Sequence, residues 1–194
     1  MATPIGHSLF ALLIVKAGVN KAILDWRWYA LGAIAANAAD FDFIPGIASG
    51  DINLYHQGFS HSAFIGVVFS LILCGLFRFS RQHYRLATLS CLSAYYSHLF
   101  LDMLTADKRE PIGIPLFWPV SMEHARLPWE IFHGVKHGIP GDSFGDFFSQ
   151  LVTWHNLESL FVESLIFLPF FVVVTILQKG FSLKRKSDSE FVNF

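Results

Sequence analysis

The stretch that decides the fold is residues 160–178, LFVESLIFLPFFVVVTILQ. It has roughly the 20 residues that a helix needs to cross the hydrocarbon core of a bilayer. Glu163 is the only charged side chain within it, and the basic residues Lys179, Lys184 and Arg185 follow soon after. These features predict a transmembrane helix whose carboxyl end faces the cytoplasm.

The composition of the whole chain fits a membrane protein. Hydrophobic residues make up 53% of the 194 positions and charged residues only 15%, against about 25% in an average soluble domain. The net charge is −1, so no basic surface suggests nucleic acid as a partner. Cys74 and Cys91 lie in apolar runs, which favours buried thiols over a disulfide. The length predicts one membrane-embedded domain, residues 1–180, followed by a polar tail at 181–194.

Four further apolar segments predict, together with this helix, an all-α bundle of about five membrane-embedded helices. With the N-terminus outside, ten of the 14 Lys and Arg residues fall on the inner side, as the positive-inside rule requires. The other four lie in a long outer loop, residues 105–158. We therefore expect a multi-pass protein of the bacterial inner membrane with a cytoplasmic C-terminus. The four segments are residues 5–19, 28–48, 62–77 and 86–104.

In this topology the ionisable residues of every helix lie at its outer end. His98 and Asp102 have i, i+4 spacing, so both project from one helical face and can share one metal ion. Ionisable residues inside membrane segments are costly and usually functional. We interpret the set as metal ligands: His7, Asp40, Asp42, His56, His61, His98 and Asp102.

The chemistry of these ligands narrows the choice of metal. Imidazole with carboxylate suits zinc, iron, nickel or manganese better than magnesium or calcium. We expect one or two divalent ions, zinc first, with manganese or iron as alternatives. Glu158 and Glu163, at the outer start of the last helix, are further candidates for a ligand or a base. The remaining histidines are interpreted as ordinary loop residues: His83, His124, His133 and His137.

The order of these motifs resembles that of a known family, the inner-membrane-associated, metal-dependent hydrolases labelled LexA-binding. In that family Arg and Thr usually stand where this chain has Gln57 and Ser60, but the histidines of the central block are retained. The resemblance implies a membrane-embedded helical protein with hydrolase activity. The motifs that carry it are Gly6-His7, Asp40-Phe-Asp42, HQGFSHS at 56–62, SHLFLD at 97–102 and GIPLFWP at 113–119.

A fainter architectural similarity links the chain to zinc-dependent phospholipases C, which are also all-helical and spread His and Asp ligands along the chain. His155 and Glu158 lie where a late His and Glu contribute in those enzymes.

The sequence therefore predicts a metal-dependent hydrolase at the outer membrane face, acting on a phosphoester or lipid-like small molecule, with membrane lipids as its partners. A metal would acidify water and polarise the scissile group, and Asp42 is the candidate general base. Two alternatives stay open. One is a non-enzymatic membrane protein with a structural metal site or a partner-binding role. The other is a metal transporter, which is less favoured because the ligands cluster at one end of the helices and not near the middle of the membrane. Aromatic residues of the outer loop either lie at the membrane interface or pack over the bundle: Trp118, Trp129, Phe132 and Phe144.

Overall fold

The computed structural model of the protein describes residues 1–20, 22–106 and 110–191, with side chains as far as residue 180. Lys21, Lys108 and Arg109 of the predicted topology, and the side chains of the predicted tail, lie outside this description. Within it the chain is all-helical and has no β-strand. The helices are α1 (Pro4–Gly18), α2 (Trp26–Ala36), α3 (Phe43–Ser49), α4 (Ala63–Leu76), α5 (Arg81–Met103), α6 (Phe144–Leu151) and α7 (Trp154–Phe191).

Side chains just before the helices fix where several of them begin. Thr3 accepts a hydrogen bond from the Gly6 amide at the start of α1, and Ser62 accepts one from Ile65 at the start of α4. Such caps satisfy amides that have no partner within the helix. Because Thr3 and Ser62 precede His7 and follow His61, they also fix the backbone beside two predicted ligands.

Helix α1 lies at the centre of the fold and contacts α2, α5 and α7, while α4 packs on α5. Small residues allow the close approach of α1 and α2, since a Cβ atom on Gly32 would come within 2.8 Å of the Val15 side chain. Trp28 and Leu31 are buried in the same hydrophobic core as Val15. Cys74 and Cys91 are free buried thiols, as the sequence predicts.

The predicted last membrane helix is present as the first part of α7. The segment Trp154–Gly180 is, within the described residues, the one helix long and apolar enough to cross a membrane, and only 11% of its apolar window is buried. Helices α1 and α4 are apolar but have 15 and 14 residues. At about 1.5 Å per residue they are shorter than the roughly 30 Å of hydrocarbon. The five-span arrangement therefore stays a prediction.

The prediction of one helix over residues 28–48 is wrong. Helix α2 ends at Ala36, the 3₁₀ turn Ala39–Asp42 follows, and α3 starts at Phe43. If this helix were uninterrupted, Pro45 would have no backbone N–H group to donate to the carbonyl four residues earlier, and its ring would clash with that carbonyl. The break turns the acidic residues of the 3₁₀ segment into the protein. The predicted loop at 105–158 also differs, because it contains α6 and the first turn of α7.

Candidate metal centre

The structure brings four chain segments together at one end of the bundle. His7 lies in the first turns of α1, and His98 and Asp102 lie in the last turns of α5. Asp40 and Asp42 come from the 3₁₀ turn after α2. His56 and His61 come from the segment that leads into α4, which includes the 3₁₀ turn Phe59–His61. We call these seven residues the His/Asp cluster.

Three overlapping groups in the cluster have the geometry of a metal site. In each group, one ligand atom per residue lies within 4.8 Å of the others. The groups share Asp40, His61 and His98, so they form one continuous site. Asp42 belongs to none of them. The groups are His7–Asp40–His98, Asp40–His56–His61 and His61–His98–Asp102.

His61 and His98 point the same ring atom toward the centre. Their Nε2 atoms lie 3.2 Å apart, and each lies within 3.4 Å of an Asp102 oxygen. The Nδ1 atom of His98 is 2.7 Å from the Ala36 carbonyl, and the Nδ1 atom of His61 is 3.3 Å from Asp42. With the ring protons on Nδ1, two Nε2 lone pairs face each other. Such lone pairs repel unless a proton or a metal ion lies between them.

His7 and Asp102 complete the buried side of the cluster. The His7 ring stacks on the His98 ring with centroids 3.8 Å apart, and its Nε2 atom lies 3.3 Å from Asp102 Oδ1. The same Asp102 oxygen accepts a hydrogen bond from the Ala2 amide at 3.1 Å. His7, His61 and His98 are completely buried. Their ring nitrogens are therefore shielded from bulk solvent.

Asp42 faces the histidines from the outside of the cluster. One oxygen lies 3.0 Å from Nδ1 of His56. The other accepts hydrogen bonds from the Gln57 amide and the Ser60 hydroxyl, at 3.1 and 2.8 Å. Ser60 is itself held by the Tyr95 hydroxyl, which donates to its carbonyl. Carboxylates in this position fix the orientation and the tautomer of metal-binding imidazoles.

Several buried polar atoms of the cluster make no hydrogen bond to any described residue. Buried polar atoms in folded proteins are normally paired, and each exception calls for an explanation such as an ion. The unpaired atoms converge from different segments on the centre of the cluster, and all are nitrogen or oxygen donors to metals. The residues present therefore fit a divalent ion. The atoms with neither a hydrogen bond nor a His–Asp contact among the described residues are Nδ1 of His7 and Oδ2 of Asp40. Nε2 of His7, Oδ1 of Asp40 and Oδ2 of Asp102 make no regular hydrogen bond, but they have longer His–Asp contacts of 3.2–4.0 Å within the cluster.

The charge states of Asp40 and Asp42 depend on their burial and on the neighbouring histidines. Burial acts to raise the pKa of Asp40, but the imidazoles of His98, His61 and His56 hold it at about 2. Burial also opposes ionisation of Asp42, yet its bonds to His56 and His61 keep its pKa well below the usual range. Both carboxylates are therefore ionised at neutral pH, which is the form that binds metal.

The two loop histidines differ in charge. Burial lowers the pKa of His56, more than its contacts with Asp42 and Asp40 raise it. Burial has the same effect on His61, but its close contacts with the carboxylates of Asp102, Asp40 and Asp42 outweigh it and raise the pKa of His61 well above its ordinary value. The raised pKa of His61 favours a proton between the two facing ring nitrogens when no metal is bound.

The two predicted glutamates lie apart from the ligand groups. Glu158 is exposed. Glu163 is completely buried, but it accepts hydrogen bonds from the amide and the hydroxyl of Thr3. Gly6 makes room for it, since a Cβ atom there would overlap the Glu163 carboxylate. Glu163 thus joins α7 to the start of α1, beside His7.

The sequence interpretation missed His137. It is buried, and its ring packs edge-on against His56 with centroids 4.9 Å apart. Its Nδ1 atom lies 2.9 Å from the Asn53 side chain, whose amide also donates to the His137 carbonyl. A histidine in a glycine-rich loop has no helical pattern that indicates which way its side chain points. The contacts of His137 with His56 and Asn53 place it beside the cluster.

Comparison with known proteins assigns the chain to a family. A family model described as YdjM inner membrane protein matches residues 1–182. The chain belongs to this family. Membership confirms the inner-membrane class expected from the sequence, while metal dependence and hydrolase activity stay predictions. No curated protein and no solved structure matches the chain.

Proposed function

We propose that the protein is a membrane-bound, metal-dependent hydrolase with its site at the outer membrane face. The observation that carries this proposal is the meeting of buried polar atoms without hydrogen-bond partners among the described residues, from the three segments of His7, Asp40 and Asp102, around the facing Nε2 atoms of His61 and His98. An ion bound there supplies Lewis acidity toward a phosphoryl or carbonyl oxygen and makes water more acidic. The residues that would hold it are His7, Asp40, His56, His61, His98 and Asp102.

The geometry favours a positioning role for Asp42 over the role of general base expected from the sequence. Both of its oxygens already accept hydrogen bonds or contact a histidine. A carboxylate engaged in this way orients His56 and His61. Neither oxygen of Asp40 accepts a regular hydrogen bond from a described residue, and the shortest contact of Oδ1 is 3.5 Å to Nε2 of His61. One oxygen would therefore be available to hold an ion and the other to accept a proton from water.

The surroundings of the site suit a substrate that comes from the membrane. Helix α6 is capped by Ser143 and has no buried residue. Phe144 and Phe148 are about half exposed, and Trp154, at the start of α7, is 81% exposed. Aromatic side chains beside a membrane helix favour the headgroup region. We therefore propose that α6 lies in the interface and that the substrate is a lipid-like or phosphoester amphiphile.

A second role is favoured by the depth of the cluster. His7, His61 and His98 have no exposed surface, and a closed site with four protein ligands is typical of structural zinc, whereas a catalytic site keeps one position open. In this alternative, the ion joins α1, α2 and α5 and the protein has no catalytic activity.

Metal analysis followed by a hydrolysis screen separates the two roles. Purified full-length protein, loaded with zinc or manganese, is tested on phosphomonoesters, phosphodiesters and carboxylic esters, each in water-soluble and short-chain lipid forms. The hydrolase proposal expects turnover that chelation abolishes and that Asp40→Asn lowers by about 10²- to 10⁴-fold. Bound metal that raises the melting temperature without any turnover would support the structural role.

The proposed topology is tested separately with reporters. A reporter fused after Lys186 should read cytoplasmic, and one inserted near Ser121 should read extracytoplasmic, because most basic residues flank the inner ends of the proposed helices. The same compartment for both reporters would refute the five-helix topology.

A further inference from the structure

A cavity of about 320 Å³ lies next to the His/Asp cluster. One wall includes Gln57, which follows His56, and His137, whose ring contacts the His56 ring. Another wall includes Met1, which precedes the Ala2 amide that donates to Asp102. The cavity is thus lined by neighbours of His56 and of the Ala2 amide, although no residue of the His/Asp cluster itself lines it. Its volume is near the lower end of the range for small-molecule sites.

The outer wall of the cavity is the loop at 133–139, and hydrogen bonds hold this loop in place. The Asn156 side chain accepts from the Lys136 amide and donates to the Lys136 carbonyl, both at 2.8 Å. The Gly134 carbonyl accepts from His155 and Ser159, at 2.9 and 3.0 Å. Gly134 has φ of +75° and lies close to the Ala106 carbonyl, so the turn requires glycine. A wall fixed in this way is preorganised for binding.

The lining itself carries a positive side chain, and a neighbouring carboxylate, that of Asp142, already accepts hydrogen bonds from the lining residues Ile139 and Gln150. Lys136 and three histidines line the cavity, and the described lining residues include no Asp or Glu. The ion pairs among the described residues all belong to the His/Asp cluster, and Lys136 takes part in none of them. An ammonium group beside N–H donors, with no paired carboxylate, is suited to an anion.

We propose that this cavity binds the phosphate group of a phosphoester substrate, with the Lys136 ammonium paired to a phosphate oxygen and His133 as an additional donor. The inference rests on the proposed hydrolase function, since it names the substrate class of that site. The phosphoester belongs either to a membrane lipid or to a soluble metabolite.

The test measures binding without turnover, so that it does not depend on catalysis. Full-length protein in neutral detergent, with metals chelated, is titrated calorimetrically with dihexanoyl phosphatidic acid, glycerol 3-phosphate and dihexanoyl glycerol. Lys136→Met should weaken the binding of the phosphate-bearing probes by about tenfold or more, and Lys136→Arg should restore much of it. Lys179→Met is the matched control, because Lys179 is also exposed but lies at the far end of the membrane segment of α7.

The outcomes separate this inference from the proposed function. Tight binding of phosphatidic acid alone identifies a lipid source, and binding of glycerol 3-phosphate with similar affinity identifies a soluble one. Equal affinities in Lys136→Met and the unaltered protein, or binding of the neutral diacylglycerol as tight as that of phosphatidic acid, would overturn the inference. So would the absence of phosphate binding both with and without zinc. Lys136-dependent binding without hydrolysis under any metal would instead refute only the proposed activity.

Discussion

The two ends of the bundle of α1, α2, α4 and α5 are both buried, but they are filled with different chemistry. At one end, Trp28 and Leu31 pack with small side chains such as Ala35 and Cys91. At the other end, four histidines and three aspartates occupy the core, and several of their polar atoms have no hydrogen-bond partner among the described residues. An apolar core is stabilised by its own contacts, whereas buried unpaired polar atoms cost free energy. Packing alone accounts for the apolar end, whereas the polar end has the geometry of the metal site proposed above.

The largest expected effect is loss of the metal when a central ligand is removed. His98→Ala takes away a nitrogen shared by two of the three ligand groups. Loss of a residue that only supports a ligand typically lowers metal affinity by about 10- to 100-fold. Because His98 would itself be a ligand, we expect its loss to lower the affinity for zinc by more than this. Metal content after purification and a competition titration with a chelator measure the change.

His83→Ala is the matched control for that experiment. His83 is half-buried and lies at the opposite end of α5, where it contacts Ser80 and the edge of the Trp28 ring. It should keep the metal content of the unaltered protein. Equal metal content in His98→Ala and His83→Ala would mean that the polar end of the bundle holds no ion.

The second expected effect concerns the apolar end. Leu31→Ala removes a completely buried side chain from the α1–α2–α5 core. It should lower the free energy of unfolding by about 2–5 kcal/mol. Chemical denaturation in detergent measures this loss, which should be equal with and without bound metal. A change in zinc affinity in this variant would show that the two ends are coupled, against the separation proposed above.

Much of the polar end could be predicted from the sequence. The i, i+4 pair His98 and Asp102 and the block from His56 to His61 are recognisable by spacing alone. Their meeting with His7 and Asp40 follows once each pair is assigned to the same end of its helix. These predictions need only the helical period and the order of segments.

The division of roles within the cluster could not be predicted in the same way. Asp40 and Asp42 are separated by one residue in a 3₁₀ turn, and only the fold shows that one faces the centre and the other the outer ring nitrogens. The break of α2 at Asn37 also depends on tertiary contacts, because the Asn37 side chain donates to Ser8 on α1. For His137, the decisive contact is with Asn53, 84 positions earlier in the chain.

A third prediction separates the two aspartates of the cluster. Asp42→Asn keeps the size of the side chain but removes the charge that orients His56 and His61. We expect zinc affinity to fall by about 10- to 100-fold, the usual effect of losing an outer carboxylate. Asp40→Asn should weaken binding more, because Asp40 belongs to two ligand groups. If Asp42→Asn leaves metal affinity unchanged but abolishes hydrolysis, Asp42 is the general base and not a positioning residue.

The smallest effect is a dependence of metal affinity on pH. In the metal-free protein, contacts with Asp102, Asp40 and Asp42 outweigh burial and raise the pKa of His61 well above its ordinary value. The imidazole must lose this proton to bind an ion. Zinc affinity should therefore rise with pH by about tenfold per unit, continue to rise above the ordinary histidine pKa of about 6.5, and level off only above the raised pKa of His61.

Zinc competition titrations between about pH 6 and pH 9 measure this slope, and calorimetry in two buffers of different ionisation enthalpy counts the released proton. In His61→Gln the affinity should be lower at every pH and its slope above pH 7 should be lost, since no imidazole with a raised pKa remains at that position. A slope that already disappears near the ordinary histidine pKa in the unaltered protein would mean that no proton lies between His61 and His98. Another cation would then have to lie between the facing lone pairs. The contrast between the two ends of the bundle would in that case be supported only by the oxygens of Asp40 and Asp102 that make no hydrogen bond to a described residue.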